Sequence, residues 1–201
     1  MTSIPARLAV VLAAIATALF LSSCNSSASD DHTSHEKTEE PVISGEPADF
    51  NADDVTFATN MIPHHQQAVE MSALVPDRST NPELIELATQ ISAAQGPEIE
   101  IMKVLLVQWK ESADTGSEHG EHGSPMPGMV DEPTMTRLQS LNGAEFDTLW
   151  LQSMISHHQG AIEMAKAEIA NGKNIDAKGV AQTIVDTQQT EIGQMKNMLG
   201  G

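Results

Sequence analysis

Apolar side chains recur every three or four positions along four long stretches, the spacing that keeps them on one face of a helix turning about 100° per residue. In the first stretch Phe57, Met61, His64, His65, Ala68, Met71 and Val75 fall within one stripe of roughly 120°, the width a core-facing helix requires. The histidine pair therefore faces inward. In the second, Gln95, Glu98 and Met102 share a stripe with Ala88, Ile91, Ile99, Leu106 and Trp109, which places an amide and a carboxylate on an otherwise apolar face. Polar groups there need partners. Glu70 and Glu163 point about 180° away from Met61 and Met154, so they read as outward residues. No stretch shows strand alternation bounded by turn residues.

Turn and capping residues divide the pattern into elements. Asn51, with Asp53 and Asp54 behind it, starts a helix that runs to about Val75 and stops at Pro76. Pro63 inside it predicts a kink before the histidines, or a helix that begins only there. Asn81-Pro82-Glu83 starts a second helix reaching about Trp109, with a bend possible at Gly96-Pro97. A short amphipathic helix is predicted over residues 133–140. Asn142 with Glu145 makes a capping-box pattern for the third main helix, and Asn171-Gly172 carries the signal of a left-handed cap at its end. Asp176 is the expected cap of the fourth, which runs to about Leu199. These elements predict an all-α protein, a four-helix bundle of two antiparallel hairpins with one short extra helix in the connection.

The two hairpins are copies. Met61-Ile-Pro-His64-His65-Gln66-Gln67-Ala68-Val-Glu70-Met71 returns as Met154-Ile-Ser-His157-His158-Gln159-Gly160-Ala161-Ile-Glu163-Met164. The same offset pairs Asp54 with Asp147, Phe57 with Trp150, Gln95 with Gln188, Glu98 with Glu191 and Met102 with Met195. This ungapped duplication divides a domain at 49–201 into repeat one at 51–111, a linker at 112–130 and repeat two at 142–199. Pseudo-two-fold symmetry follows, with both histidine phrases facing the centre.

The first twenty-four residues read as export signals. Arg7 supplies a basic region, Leu8 to Leu21 an apolar run shorter than the roughly 20 residues of a membrane span, and Leu21-Ser22-Ser23-Cys24 resembles a bacterial lipobox. Cys24 would become the lipidated N-terminus, tied to the domain by a flexible acidic tether at 25–48 that includes His32 and His35. As the single cysteine it excludes an internal disulfide, a thiolate metal site and a cysteine nucleophile. The formal net charge of -18 opposes binding to nucleic acid.

Two tandem histidine pairs flanked by inward methionines, one in each half, point to metal ligation. The candidate ligands are Met61, His64, His65, Met71, Glu98 and Met102 in the first half and Met154, His157, His158, Met164, Glu191 and Met195 in the second. Thioethers suit Cu(I) and, by the same chemistry, Ag(I), so copper is the expected ion ahead of other transition metals. Glu98 and Glu191 either ligate or hold the far ring nitrogen of a histidine. His119, His122, Met126 and Met129 in the Gly- and Pro-rich linker form a second, looser capture site. The expected protein is thus a lipid-anchored, extracytoplasmic module that sequesters or hands on copper. Two other functions fit the same residues: a metal-dependent oxidoreductase, or a structural or interaction lipoprotein in which Glu98, Glu191, Gln95 and Gln188 hydrogen-bond core histidines. Outward Gln66 with Glu70 and Gln159 with Glu163 are solvated or form a homodimer contact.

The repeated phrase, followed by Gln95, Glu98, Ile99 and Met102 and again by Gln188, Glu191, Ile192 and Met195, resembles the bacterial family called domain of unknown function 305 over about residues 51–199. The resemblance implies a ferritin-like bundle, export, often with a lipid anchor, and for some members copper or silver binding. A di-iron ferritin site needs Glu three residues before His. Met61 and Met154 hold those places here.

Overall fold

A computed structural model describes residues 48–110 and 126–200. The signal region, Cys24, His32, His35, His119 and His122 lie outside the described residues. Among the described residues six helices follow in order: α1 (Ala52–Ala73), α2 (Val75–Arg78), α3 (Pro82–Gln108), α4 (Glu132–Ser140), α5 (Gly143–Asn171) and α6 (Ile175–Gly200). No strand occurs among the described residues. The fold is the expected all-α bundle. Hairpin α1–α3 and hairpin α5–α6 are each packed along their length; they join chiefly through α1 and α5, while α3 and α6 touch only lightly. No helix among the described residues is long and apolar enough to cross a membrane.

Several element ends differ from the sequence pattern for local reasons. Asn51 caps α1 by accepting from the Asp53 and Asp54 amides, and Asp54 reaches back to complete a capping box. Pro63 does not begin the helix, because α1 is continuous from Ala52 through the histidines. Buried Met61, Ile62, His64 and His65 on either side anchor this turn against the bond that proline removes. Pro76 does not end the structure either; it occupies the first turn of α2, where no intrahelical donor is needed. The predicted box at Asn142 does not form: Gly143 takes a φ of 60°, replacing the extended-to-helical step that such a box requires, and Asn142 makes no side-chain cap bond. Gly172 is extended rather than left-handed, with φ -61° and ψ 158°. A Cβ there would meet the Glu168 carboxyl group, so any larger residue would have to push that side chain aside. Asn174, not Asp176, caps α6, accepting from the Asp176 and Ala177 amides at 3.1 and 3.0 Å. Asp176 remains in the first turn, where the helix dipole favours an acid.

The core is a column of large fully buried side chains, among them Trp150, Phe146, Met61, Met71, Leu84, Ile91, Met154, Ile184 and Met195. Each contributes on the order of 1.5–3 kcal/mol by leaving water. Polar bonds fasten the α1–α5 seam at both ends. At one end Trp150 Nε1–H donates to the Met71 carbonyl at 2.9 Å. At the other, the buried Asp54 carboxylate accepts from the backbone N–H groups of Asn174 at 2.8 Å and Lys173 at 3.0 Å. Burial acts to raise Asp54, but the N–H groups of Asn174, Asn51 and Lys173 outweigh it and hold the group below the usual carboxylate range. Glu168, packed beside it, is pushed up to about 8 by burial and by Asp54. One carboxyl of the two therefore keeps its proton at neutral pH.

Candidate metal centre

Neighbouring residues on a helix diverge by about 100°, so each His-His pair splits its rings between two interfaces. His64 and His157, equivalent under the duplication, turn into the α1–α5 seam, where their ring centroids lie 3.8 Å apart at an interplanar angle of 39°. His65 and His158 turn into their own hairpins. His65 Nε2 meets Glu98 Oε2 at 2.9 Å, and His158 Nε2 meets Glu191 Oε2 at 2.8 Å. All four rings have 0% exposure.

These bonds define what the rings can offer. A carboxylate or carbonyl oxygen only accepts, so Nε2 carries the proton in His65, in His158 and in His64, which donates to the Pro127 carbonyl at 3.0 Å. In a neutral ring Nδ1 then bears the lone pair. The Nδ1 atoms of all four histidines, and Nε2 of His157 as well, are buried without a hydrogen-bond partner among the described residues. An unpartnered buried polar atom costs roughly 1–3 kcal/mol. Burial, against the raising effect of the Pro127 bond, lowers His64 to about 4. Burial and then the neighbouring His64 ring hold His157 well below the ordinary value as well. Both seam histidines are therefore neutral, lone-pair donors at physiological pH.

The methionines take their places by helix spacing. Met61 and Met154 precede their histidine pairs by one turn, and Met102 and Met195 follow Glu98 and Glu191 by one turn. These four and Met71 are fully buried, whereas Met164 is only partly so. Glu98 and Glu191 each meet one ring nitrogen, of His65 and of His158. Gln95 and Gln188 bond no histidine: their amides are buried with neither atom partnered among the described residues. Glu70, Glu163, Gln66 and Gln159 are exposed, as their helical angle predicts. No three His, Cys, Asp or Glu side chains converge on one point among the described residues.

Met126 and Met129 are not in a separate, loose segment. Met129 N–H donates to the Met126 carbonyl at 3.1 Å, closing a turn with Pro127 second and Gly128 third at a φ of 79°, as a type II turn demands. The turn lies on α1 and α5 at the histidine seam. Gln67 fixes its far end, with Nε2–H donating to the Val130 carbonyl and Oε1 accepting from the Val130 N–H, both at 2.8 Å. Sequence reasoning missed Gln67, Pro127 and the Asp54–Glu168 pair. The available signal for the first two was a Pro-Gly turn in the linker and a Gln-to-Gly difference inside the repeat.

Residues 54–199 match a family model described as domain of unknown function (DUF305). Among solved structures, a DUF305 protein of Streptomyces coelicolor, described as secreted, is 33% identical with a TM-score of 0.66, over 74% of this chain and 92% of that one. CopM in its Cu(I)-bound form is 30% identical with a TM-score of 0.58, over 72% of this chain and 94% of that one. CopM has also been solved in Cu(II)-bound, Ag-bound and apo forms. A curated relative, uncharacterized protein L153 of Acanthamoeba polyphaga mimivirus, is 38% identical over 58 residues, which make up 29% of this chain and 38% of that protein.

Proposed function

This chain belongs to the DUF305 family, and on that footing we propose that it is an exported, lipid-anchored protein that binds Cu(I), or Ag(I) by the same chemistry, at the inward His and Met clusters of its bundle. One observation carries the reading. Three buried histidines have Nε2 tied to a fixed acceptor while Nδ1 is left without a partner, the arrangement in which an outer acceptor orients a metal-ligating ring. Fully buried Met61, Met71, Met102, Met154 and Met195 in the same core supply soft thioethers. The thioethers fit a soft monovalent ion, whereas zinc and iron would gain little from them and more from carboxylate or thiolate. Copper here is cargo; Glu98, Glu191 and Pro127 would hold His65, His158 and His64 for it. The copper- and silver-bound forms of the similar protein CopM support the choice of ion. The tether and Cys24 would keep the domain near a membrane on the extracytoplasmic side.

Competition titration with a Cu(I) chelator tests this. The tightest binding should survive deletion of residues 113–125, which removes His119 and His122, and should vanish when His64, His65, His157 and His158 are all replaced by Gln. Tight binding that persists in the Gln variant would make the histidines a core network only.

A further inference from the structure

Within the repeated phrase the two halves differ most in size at Gln67 and its counterpart Gly160. Both residues serve one short segment. Gln67 grips both backbone polar groups of Val130, while a Cβ at Gly160 would collide with the Pro127 carbonyl. Gly128 is equally constrained from the other side: a Cβ there would lie 2.6 Å from the Ser156 carbonyl oxygen and 2.9 Å from that of His157. Residues 126–130 thus meet α5 backbone to backbone and meet α1 through a paired amide bond. With the histidines the same in both copies, this difference makes one side a clamp and the other a slot.

From this fastening we propose that residues 126–130 form a strap that gates the His64–His157 pair and positions His64 for the incoming ion. The proposal rests on the copper reading above. Closed, the strap sits on the α1–α5 seam through the Pro127 contact to His64, beside two rings that have no exposure, and on this proposal it lifts to admit an ion. Its Pro127 carbonyl also fixes His64 Nε2 as the N–H nitrogen, which leaves the unpartnered Nδ1 lone pair for the ion. His157, with neither nitrogen held, is the free member of the pair. The strap's far end runs into α4, where Asp131 caps the helix by accepting from the Thr134 amide at 2.9 Å. Among the described residues, lifting breaks at least the Gln67–Val130 pair and the Pro127–His64 bond while α4 keeps its cap.

Two substitutions open the strap without touching a donor side chain. Gly160→Ala adds one methyl where the Pro127 carbonyl lies and suits the interior of α5 better than glycine does. Gln67→Ala removes the clamp from the opposite side. On the full chain, transfer of Cu(I) from the protein to a chromophoric chelator would be followed by stopped flow. Hydrogen exchange of the Val130 amide and nitrogen-15 ring shifts of His64 would be recorded without copper. Both variants should release Cu(I) about 10–100-fold faster, the loss typical of removing an outer partner of a ligating histidine. Val130 exchange should accelerate while core amides of α3 and α6 keep their protection, and His64 should lose its single Nε2–H tautomer. If the parent binds Cu(I) but both variants release it at the parental rate, the strap is no gate and only the proposal of this section falls. If the parent takes up no Cu(I), the copper reading falls and the gate with it.

Discussion

Acidification should weaken the fold through His64, and the size of the effect follows from its burial. The ring has an ordinary value of 6.5 and a folded value of about 4, lowered by burial. Because the native state withholds a proton that the unfolded chain binds, this stability is fully present above 6.5 and is lost as the pH falls toward 4. At ~1.4 kcal/mol per unit the whole shift corresponds to about 3.4 kcal/mol, of which roughly 2 kcal/mol is already gone near about pH 5. His157, also lowered, adds a loss of the same sign. The assay is urea unfolding of copper-free protein at about pH 7.5 and about pH 5, for the parent and for His64→Gln. Glu168 titrates alike in both chains, so its effect cancels in the comparison. The parent should lose about 2 kcal/mol more than the variant between the two conditions. Equal losses would mean that His64 is solvated or charged in the folded protein, and the account of a dry, neutral seam would be wrong.

Glu168 predicts the opposite slope. Its folded value of about 8 lies above the ordinary 4.5, so its contribution is full at low pH and is lost as the pH rises through that window. Glu168→Gln should therefore melt above the parent at alkaline pH, with the advantage shrinking on acidification; thermal melts across that range check it. Replacing Cys24 with Ala should leave the precursor uncleaved at that site or free the protein from the lipid-modified membrane fraction, as read by fractionation. Unchanged processing and unchanged fractionation would remove the lipobox from the account.

Periodicity alone gives the four long helices, the inward direction of both His-His pairs and the outward direction of Glu70 and Glu163, because side-chain direction on a helix depends only on residue count. The duplication, legible as a repeated phrase, already implies a pseudo-two-fold with the histidines near its axis. Helix ends were less legible. Asn142, Gly172 and Asp176 each carry a valid local signal, but backbone at Gly143, the Glu168 carboxyl and the side chain of Asn174 decide what those positions do. Pro63 illustrates the same competition, since flanking core residues keep α1 continuous through a residue that would end an isolated helix.

What only the tertiary structure decided is pairing across sequence distance. Nothing in the spacing of His64 and His157 says that their rings meet at 3.8 Å, or that Pro127 rather than Gln95 takes a histidine nitrogen. Those outcomes depend on which faces of α1 and α5 press together and on a linker turn returning to them. Burial of Asp54 beside Glu168 is likewise a meeting of a helix start with a helix end more than a hundred residues away. Sequence determined which chemical groups are turned inward, through the fixed 3.6-residue period of the helix. Tertiary contact determined which of them are satisfied and which are left open, since a hydrogen bond needs both partners in place and only the assembled bundle brings them there.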